Sequence, residues 1–400
     1  MVERLYAAFA KVRITPEEPC RLSGYAFRTE PADPSRDVLD DLYAAAAVLD
    51  DGRRRAVLVS LDLCMAAEEE GRVPFPGRPG EYRAFPPSLP EGTRRAWAEA
   101  AGAAPAAVFV CATHTHSGPA QLAASHADAV RRAIAEAAGR LEPVNVFAAE
   151  GASDLSAFRR PDLLPNRERA IDRTLRVLLF ETVAGRPLGC LVNYAVHPTS
   201  LNEVYKISAE FVGLAMRKLE AARGDGFVSL FIQGFSGDVC PTFGGLRAGL
   251  TESSYPFVIE AADRLRADIE QALRRRTPLP SVPLRTEERE FRVPAREGLD
   301  FAELTVRLTG VRLGEAALIG VSGEVFNDYA GKMKALCAPR VLLTAGLVNG
   351  YCGYIPTRDA FTDGLGGYEI ETTPFDERVE ARVMECAREF LYELCEGEGR

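Results

Sequence analysis

The feature that most constrains this chain is an apolar run that ends on two histidines. Ala107-Val108-Phe109-Val110 leads into Cys111-Ala112-Thr113-His114-Thr115-His116-Ser117-Gly118-Pro119. The run reads as a buried strand, and Ser-Gly-Pro breaks the chain before a helical pattern begins near Ser125. Two histidines at i and i+2 of extended chain project to one face. They therefore leave the end of a buried strand together, where α/β sheets keep their ligand sites. The chain has four histidines in 400 residues, so two in one loop narrow the chemistry. The spacing fits metal or catalytic use, and equally a pair of hydrogen-bonded loop side chains.

Short apolar runs alternate with helical periods along the whole chain. This predicts an α/β fold of mixed β-sheets packed with helices, with a metal site at the strand ends. Strands are expected at 5–14, 42–49, 55–63, 144–150, 173–181, 187–196, 228–232, 284–293, twice within 304–321, and at 341–345. Helices are expected at 92–102, 125–140 with Ser125 as N-cap, 208–223, 255–274, from Glu324 to about 337, and 375–396. Asp50-Asp51-Gly52 joins two of the strands as a hairpin. Residues 74–90 hold six prolines and read as a surface loop or flap without regular structure. His126 reads as a surface residue. No internal repeat is present, and Arg274 to Pro283 reads as a connection inside one unit, so residues 1–400 are expected to form a single domain.

The formal charge of −9 and the lack of a basic tract exclude a nucleic-acid partner. Met1-Val2-Glu3-Arg4-Leu5 has no apolar signal core, and no run approaches membrane-span length, so no stable membrane insertion is expected. Nine cysteines occur without a CxxC pair, several in apolar strands (Cys64, Cys111, Cys190). That usage fits reduced thiols in the cytoplasm. The oligomeric state is not legible.

Apolar strands end on polar, glycine-flanked loops at His114/His116, His197, Asp238, Glu324 and Tyr354. Histidine and carboxylate suit zinc, which in catalytic sites takes three protein ligands and keeps a position open. The same residues have plainer readings: His197 as a buried turn residue, Glu324 as a helix cap, Tyr354 as core.

These motifs, in this order, resemble the catalytic domain of the neutral/alkaline (non-lysosomal) ceramidases. The resemblance is carried by His-Thr-His-Ser-Gly-Pro, the later His-Pro-Thr-Ser, Gly-Asp-Val-Cys-Pro, Gly-Glu, and Tyr-x-x-Tyr-Ile-x-Thr with a following Tyr-Glu. It runs from about residue 5 to 396, and the first block is its most specific part. It implies zinc ligands at His114, His197, Glu324 and Tyr354. It also implies that His116 and Tyr368 polarise the substrate, with Arg159, in Phe158-Arg159-Arg160-Pro161, near the active site. Two departures stand out. The family has serine where this chain has Cys240, and neither the C-terminal immunoglobulin-like domain nor the secretion signal of the family's ceramidases is expected here.

The expected activity is hydrolysis of an N-acyl amide bond in a small-molecule or lipid-like substrate by metal-activated water. Asp238 is expected to orient a metal-bound histidine, and Asp62, also at a strand end, to do the same or bind a second cation. Specificity is expected from the 74–90 segment and the 362–367 glycine loop. Two alternatives stay open: a metal-free thiol hydrolase built on Cys240 with His116 or His197, and a non-catalytic metal- or ligand-binding homologue.

Overall fold

The computed structural model describes residues 4–25, 27–78, 80–160, 169–201, 205–243, 253–336, 339–362 and 367–396. Mixed β-sheets packed with helices form its frame, as the alternating pattern predicts. The largest sheet runs in the order Val228–Gln233, Pro187–Tyr194, Thr174–Thr182, Glu142–Ala152, Tyr6–Arg13, Tyr43–Asp50, Arg55–Leu61, Val108–Ala112. Its two outermost pairs are parallel, and the inner pairs are antiparallel. In the middle, Tyr6 and Ala7 alone pair with Glu142–Ala152, a short joint about which the two halves close on each other. Ser60 Oγ donates 2.6 Å to the Phe231 carbonyl across the closure.

Side-chain alternation then sorts the strands into layers. Leu58, Phe109, Cys111, Leu230 and Ile232 enter the interior shared by both halves. Val57, Val59, Val108 and Val110 point the other way, under the helices Thr93–Ala101 and Ala124–Ala138. Cys190, Val192 and Phe231 lie under the helices Glu210–Arg223 and Tyr255–Leu273. The run-and-period grammar of the sequence is thus the grammar of helix–sheet–sheet–helix layers.

A second sheet, Leu284–Pro294, Glu303–Leu313, Ala316–Val321, Val341–Ala345, covers one end of that interior with Val311, Leu318 and Leu343. Its other face packs on the helix Val379–Glu396. Gly310 permits the close approach, since a Cβ there would lie 2.7 Å from both Phe390 and Leu394. Two asparagines stitch the sheets together. Asn193 Nδ2 donates to Ile232 and Thr344 carbonyls at 3.0 and 2.9 Å. Asn349 accepts from Val110 N at 3.0 Å and donates to the Val108 carbonyl at 2.9 Å, continuing the ladder of the histidine-bearing edge strand. Buried amides in such roles satisfy backbone groups that a sheet edge would otherwise leave open.

Three local expectations are corrected. Within 74–90 the chain forms regular structure: Gly71–Pro74 pairs antiparallel with Tyr82–Phe85. Pro74 sits at a strand end, Pro76 in the turn, and Pro86 and Pro87 beyond the second strand, positions where a missing N–H costs no ladder bond. Ala123, not Ser125, is the N-cap of the next helix. Glu324 does not open a helix; Glu324–Val325 pairs in parallel with Tyr354–Ile355, and the helix is confined to Tyr329–Lys334.

Candidate metal centre

The strand Val108–Ala112 delivers His114 and His116, but not through extended chain. His114 has φ of 68°, a left-handed conformation uncommon in residues with a Cβ. Both imidazoles still converge, with His116 Nε2 3.4 Å from His114 Nε2 and 3.2 Å from His197 Nε2. His197 follows the strand Pro187–Tyr194, near the opposite end of the same sheet, so closure of the two halves brings the histidines together. Glu324 comes from a short strand just after the second sheet's Ala316–Val321, with its Oε2 3.4 Å from His114 Nε2. Its neighbour in register is Tyr354, and parallel partners project to one side, which places the phenol beside the carboxylate. All five side chains are buried.

Backbone carbonyls assign the tautomers. His114 Nδ1 donates to the Cys64 carbonyl at 2.7 Å, and His197 Nδ1 to the Ser236 carbonyl at 3.3 Å. Each Nε2 is thereby turned to the centre, where it can hold a metal ion or a proton. Nitrogens facing one another at such distances share a positive charge, carried by a proton or by a metal ion. Donors about 2.0–2.1 Å from a tetrahedral zinc stand roughly 3.3 Å apart, close to the 3.4 Å between His114 Nε2 and Glu324 Oε2. His114, His197 and Glu324 have ligand atoms within 4.8 Å of one another, as do Cys64, His114 and His116. The donor set therefore fits a divalent cation such as zinc.

The electrostatics agree. Burial opposes charge on His114, but Cys64 and Glu324 outweigh it and push its pKa up to about 10. Burial, reinforced by the charge on His114, holds His116 and His197 well below the usual histidine value. Burial works against the Glu324 carboxylate, yet His114 and the Tyr351 and Tyr354 hydroxyls keep its carboxyl below the usual range. The cluster favours one concentrated positive charge.

Around it stand the other expected residues. Burial raises the Tyr354 phenol pKa well above normal, Glu324 adds to this, and Arg159 opposes it. Tyr368 meets Tyr354 edge to face, ring centroids 6.1 Å apart. Arg159 Nε lies 3.2 Å from Glu369, which also takes two bonds of 2.9 Å from Arg160. Asp238 does not reach a histidine: its Oδ1 accepts from Asn327 N at 2.7 Å and its Oδ2 faces Arg169 at 3.7 Å. It thereby fixes the segment just after Glu324. Asp62 likewise turns away from the imidazoles and accepts from Tyr43 N at 2.8 Å. Carbonyls of Cys64 and Ser236 take the orienting role expected of these carboxylates. Cys240 is half-buried in the strand Val239–Pro241, opposite Ala157. His126 is half-buried at a separate cleft of about 670 Å³ that it shares with Glu17 and Gln121. Most of the 362–367 glycine loop, residues 363–366, and Pro161 lie outside the described residues.

Sequence reasoning gave no role in the site to Cys64, Tyr351, Glu369 or the Gly24-Tyr25 pair. Tyr351 donates 2.9 Å to Glu324 Oε1. Tyr25 meets the His116 ring edge-on at 4.9 Å, and a Cβ on Gly24 would fall 2.3 Å from that ring. The glycine-tyrosine pair and the Tyr-Glu pair were the legible signals.

Comparison with known proteins agrees with the motif reading. Over 164 residues the chain is 31% identical to the neutral ceramidase of Pseudomonas aeruginosa, a match covering 34% of this chain and 24% of that protein. It is 29% identical over 173 residues to neutral ceramidase B of Dictyostelium discoideum, with the same coverage of 34% and 24%. The crystal structure of the Pseudomonas aeruginosa neutral ceramidase superposes with a TM-score of 0.77 at 19% identity, covering 98% of this chain and 75% of that one. The chain is neutral-ceramidase-like in sequence and fold. A ceramidase complexed with C2 superposes equally, with a TM-score of 0.77. The sequence matches span about a quarter of each curated relative's length. No protein-family model matches the chain. No helix among the described residues is long and apolar enough to cross a membrane.

Proposed function

We propose that this chain is a zinc-dependent hydrolase of N-acyl amide bonds, working as one catalytic unit in the cytoplasm. The observation that carries the reading is the convergence of His114 Nε2, His197 Nε2 and the Glu324 carboxylate on one buried point. Likeness to proteins named neutral ceramidases gives the bond class. In this reading His114, His197, Glu324 and Tyr354 hold the metal. Zinc held there supplies Lewis-acid polarisation of the amide carbonyl and lowers the pKa of the attacking water to about 7.

The remaining roles belong to side chains. His116 sits against both ligand histidines and is kept neutral by burial, so it can take a proton from the attacking water and then pass it to the departing nitrogen. The Tyr368 hydroxyl is a hydrogen-bond donor for the substrate carbonyl oxygen. Arg159 keeps one terminal nitrogen, Nη1, buried without a hydrogen-bond partner, and Glu369 fixes its direction. Water adds to the acyl carbon, the C–N bond breaks, and an acid and an amine leave.

The test is an assay of the purified protein on a panel of N-acyl amides, including a short-chain fluorescent ceramide, with and without chelator. Chelator-sensitive cleavage restored by zinc supports the reading. Cleavage that ignores chelator and is blocked by iodoacetamide would move the chemistry to Cys240. A bound metal without turnover on any acyl substrate would leave a binding homologue.

A further inference from the structure

Among the described residues Arg28 and Arg176 are the buried arginines; Arg176 is ion-paired, as are the half-buried Arg169 and Arg217, and Arg28 is not. Arg169 meets Asp328 at 2.9 Å, Arg176 meets Asp172 at 3.3 Å, and Arg217 meets Asp40 at 2.7 Å. Arg28 is 8% exposed, yet no carboxylate among the described residues forms an ion pair with it. Its Nη1 is held by the Ser23 and His116 carbonyls, its guanidinium stacks on the Tyr25 ring at 4.7 Å, and its Nε and Nη2 are buried without hydrogen-bond partners. Leaving a buried cation uncompensated is costly, so such a group marks a place where an anion completes the structure. The Arg28 contact is made to the backbone carbonyl of His116, beside the candidate site.

A second cation comes from the proline-rich hairpin. Val73 and Arg83 are partners in the antiparallel pair, as are Gly71 and Phe85, and such partners share a face. That face turns inward: Gly71 is packed against the Tyr351 ring, Phe85 meets the same ring at 5.2 Å, and Val73 reaches Gly353. Arg83 therefore projects toward the Tyr354–Tyr368 side, where it acts on the Tyr368 hydroxyl. It stacks on Phe85 at 4.6 Å and, like Arg28, forms no ion pair with a carboxylate among the described residues. The unpartnered Nη1 of Arg159 adds a third donor. In a chain of formal charge −9, these three cations all act on His116, while Glu324 and Glu369 are already engaged and Glu210, which acts on Arg28 from a distance, is bonded to Ser200 and Leu201 N.

We propose that the substrate is an anionic N-acyl amide, carrying a carboxylate on the amine side that Arg83 and Arg28 receive. This rests on the amide-hydrolase reading above and narrows it from a neutral lipid amide to the class of N-acyl amino acids. Hydrolysis then consumes one water: the C–N bond breaks, oxygen joins the acyl carbon, and a proton goes to the nitrogen of the released amino acid. The salt-dependent attraction of a carboxylate to a cationic recess also favours its capture.

The experiment compares N-octanoylglycine with its neutral counterpart, N-octanoylglycinamide, and with a short-chain ceramide, on the zinc-loaded protein. Binding of N-octanoylglycine is measured in parallel by calorimetry. The expected result is at least a tenfold preference in kcat/KM for the carboxylate, reduced about tenfold or more in Arg83→Ala, mainly through KM. Arg83→Lys should restore part of it. Equal or better turnover of the neutral amides overturns the proposal, as does a preference untouched by Arg83→Ala. Tight binding of N-octanoylglycine that Arg83→Ala weakens, without turnover of any amide, keeps the anion site and removes the hydrolase. Neither binding nor turnover removes both.

Discussion

Tyr351 donates its hydroxyl proton to Glu324 Oε1 at 2.9 Å, so one carboxylate oxygen is held by the protein and the other, Oε2, is turned to His114. Tyr351 is three residues before Tyr354, and the Phe85 ring packs against it at 5.2 Å. A hydrogen bond of this kind fixes which oxygen a ligand carboxylate presents. Tyr351→Phe keeps the packing and removes the bond. Zinc affinity, measured by competition with a chromophoric chelator, is expected to fall about ten- to a hundredfold with the melting temperature little changed. Unaltered affinity would remove Tyr351 as the orienter of Glu324.

His197 is fully buried, its Nδ1 held by the Ser236 carbonyl and its Nε2 facing His116. His197→Ala is expected to lose bound zinc, read by elemental analysis after dialysis, together with activity. A variant that turns over fully without metal would sink the metal reading.

Gly24 has φ of 94°, and a Cβ there would lie 2.3 Å from His116 Cγ. Gly24→Ala must therefore displace the imidazole or the loop. Turnover is expected to fall tenfold or more, consistent with the sensitivity of catalysis to small misplacements. Zinc content should stay near wild type, since His114, His197 and Glu324 are untouched. Full activity in this variant would show that His116 is not positioned by the loop.

Glu210 is fully buried, with φ of 58°. It is bonded to Ser200 and to Leu201 N. Burial pushes its pKa from 4.5 to about 7. Between these values the folded protein holds a proton that the unfolded chain has released, so stability falls as pH rises from about 4.5 to about 7 and levels off above. The loss is on the order of a few kcal/mol. Glu210→Gln removes the titration. Its stability relative to wild type, from urea unfolding, should improve between pH 4.5 and pH 7.5; an equal difference at both values would contradict the assignment.

The sequence alone carried the layers and the candidates. Apolar runs with period two and helical periods reflect local backbone preference and burial, and both act within a few residues, so Val108–Ala112, Pro187–Tyr194, Val228–Gln233 and Ala316–Val321 were readable as strands. So were His114, His116, His197, Glu324 and Tyr354 as polar groups at or near strand ends. What brings them together was not local. The histidines meet because a sheet joined at Tyr6 and Ala7 closes on itself, and Glu324 meets Tyr354 because two-residue segments pair in parallel in a small sheet of their own. Carbonyls of Cys64 and Ser236, rather than Asp62 or Asp238, hold the imidazoles, a choice made by backbone paths that no spacing records. The Gly71–Phe85 hairpin escaped notice because six prolines within 74–90 speak against strand locally, while pairing and packing on Tyr351 decide for it. Long-range closure and register fix those contacts, and they depend on the whole chain at once.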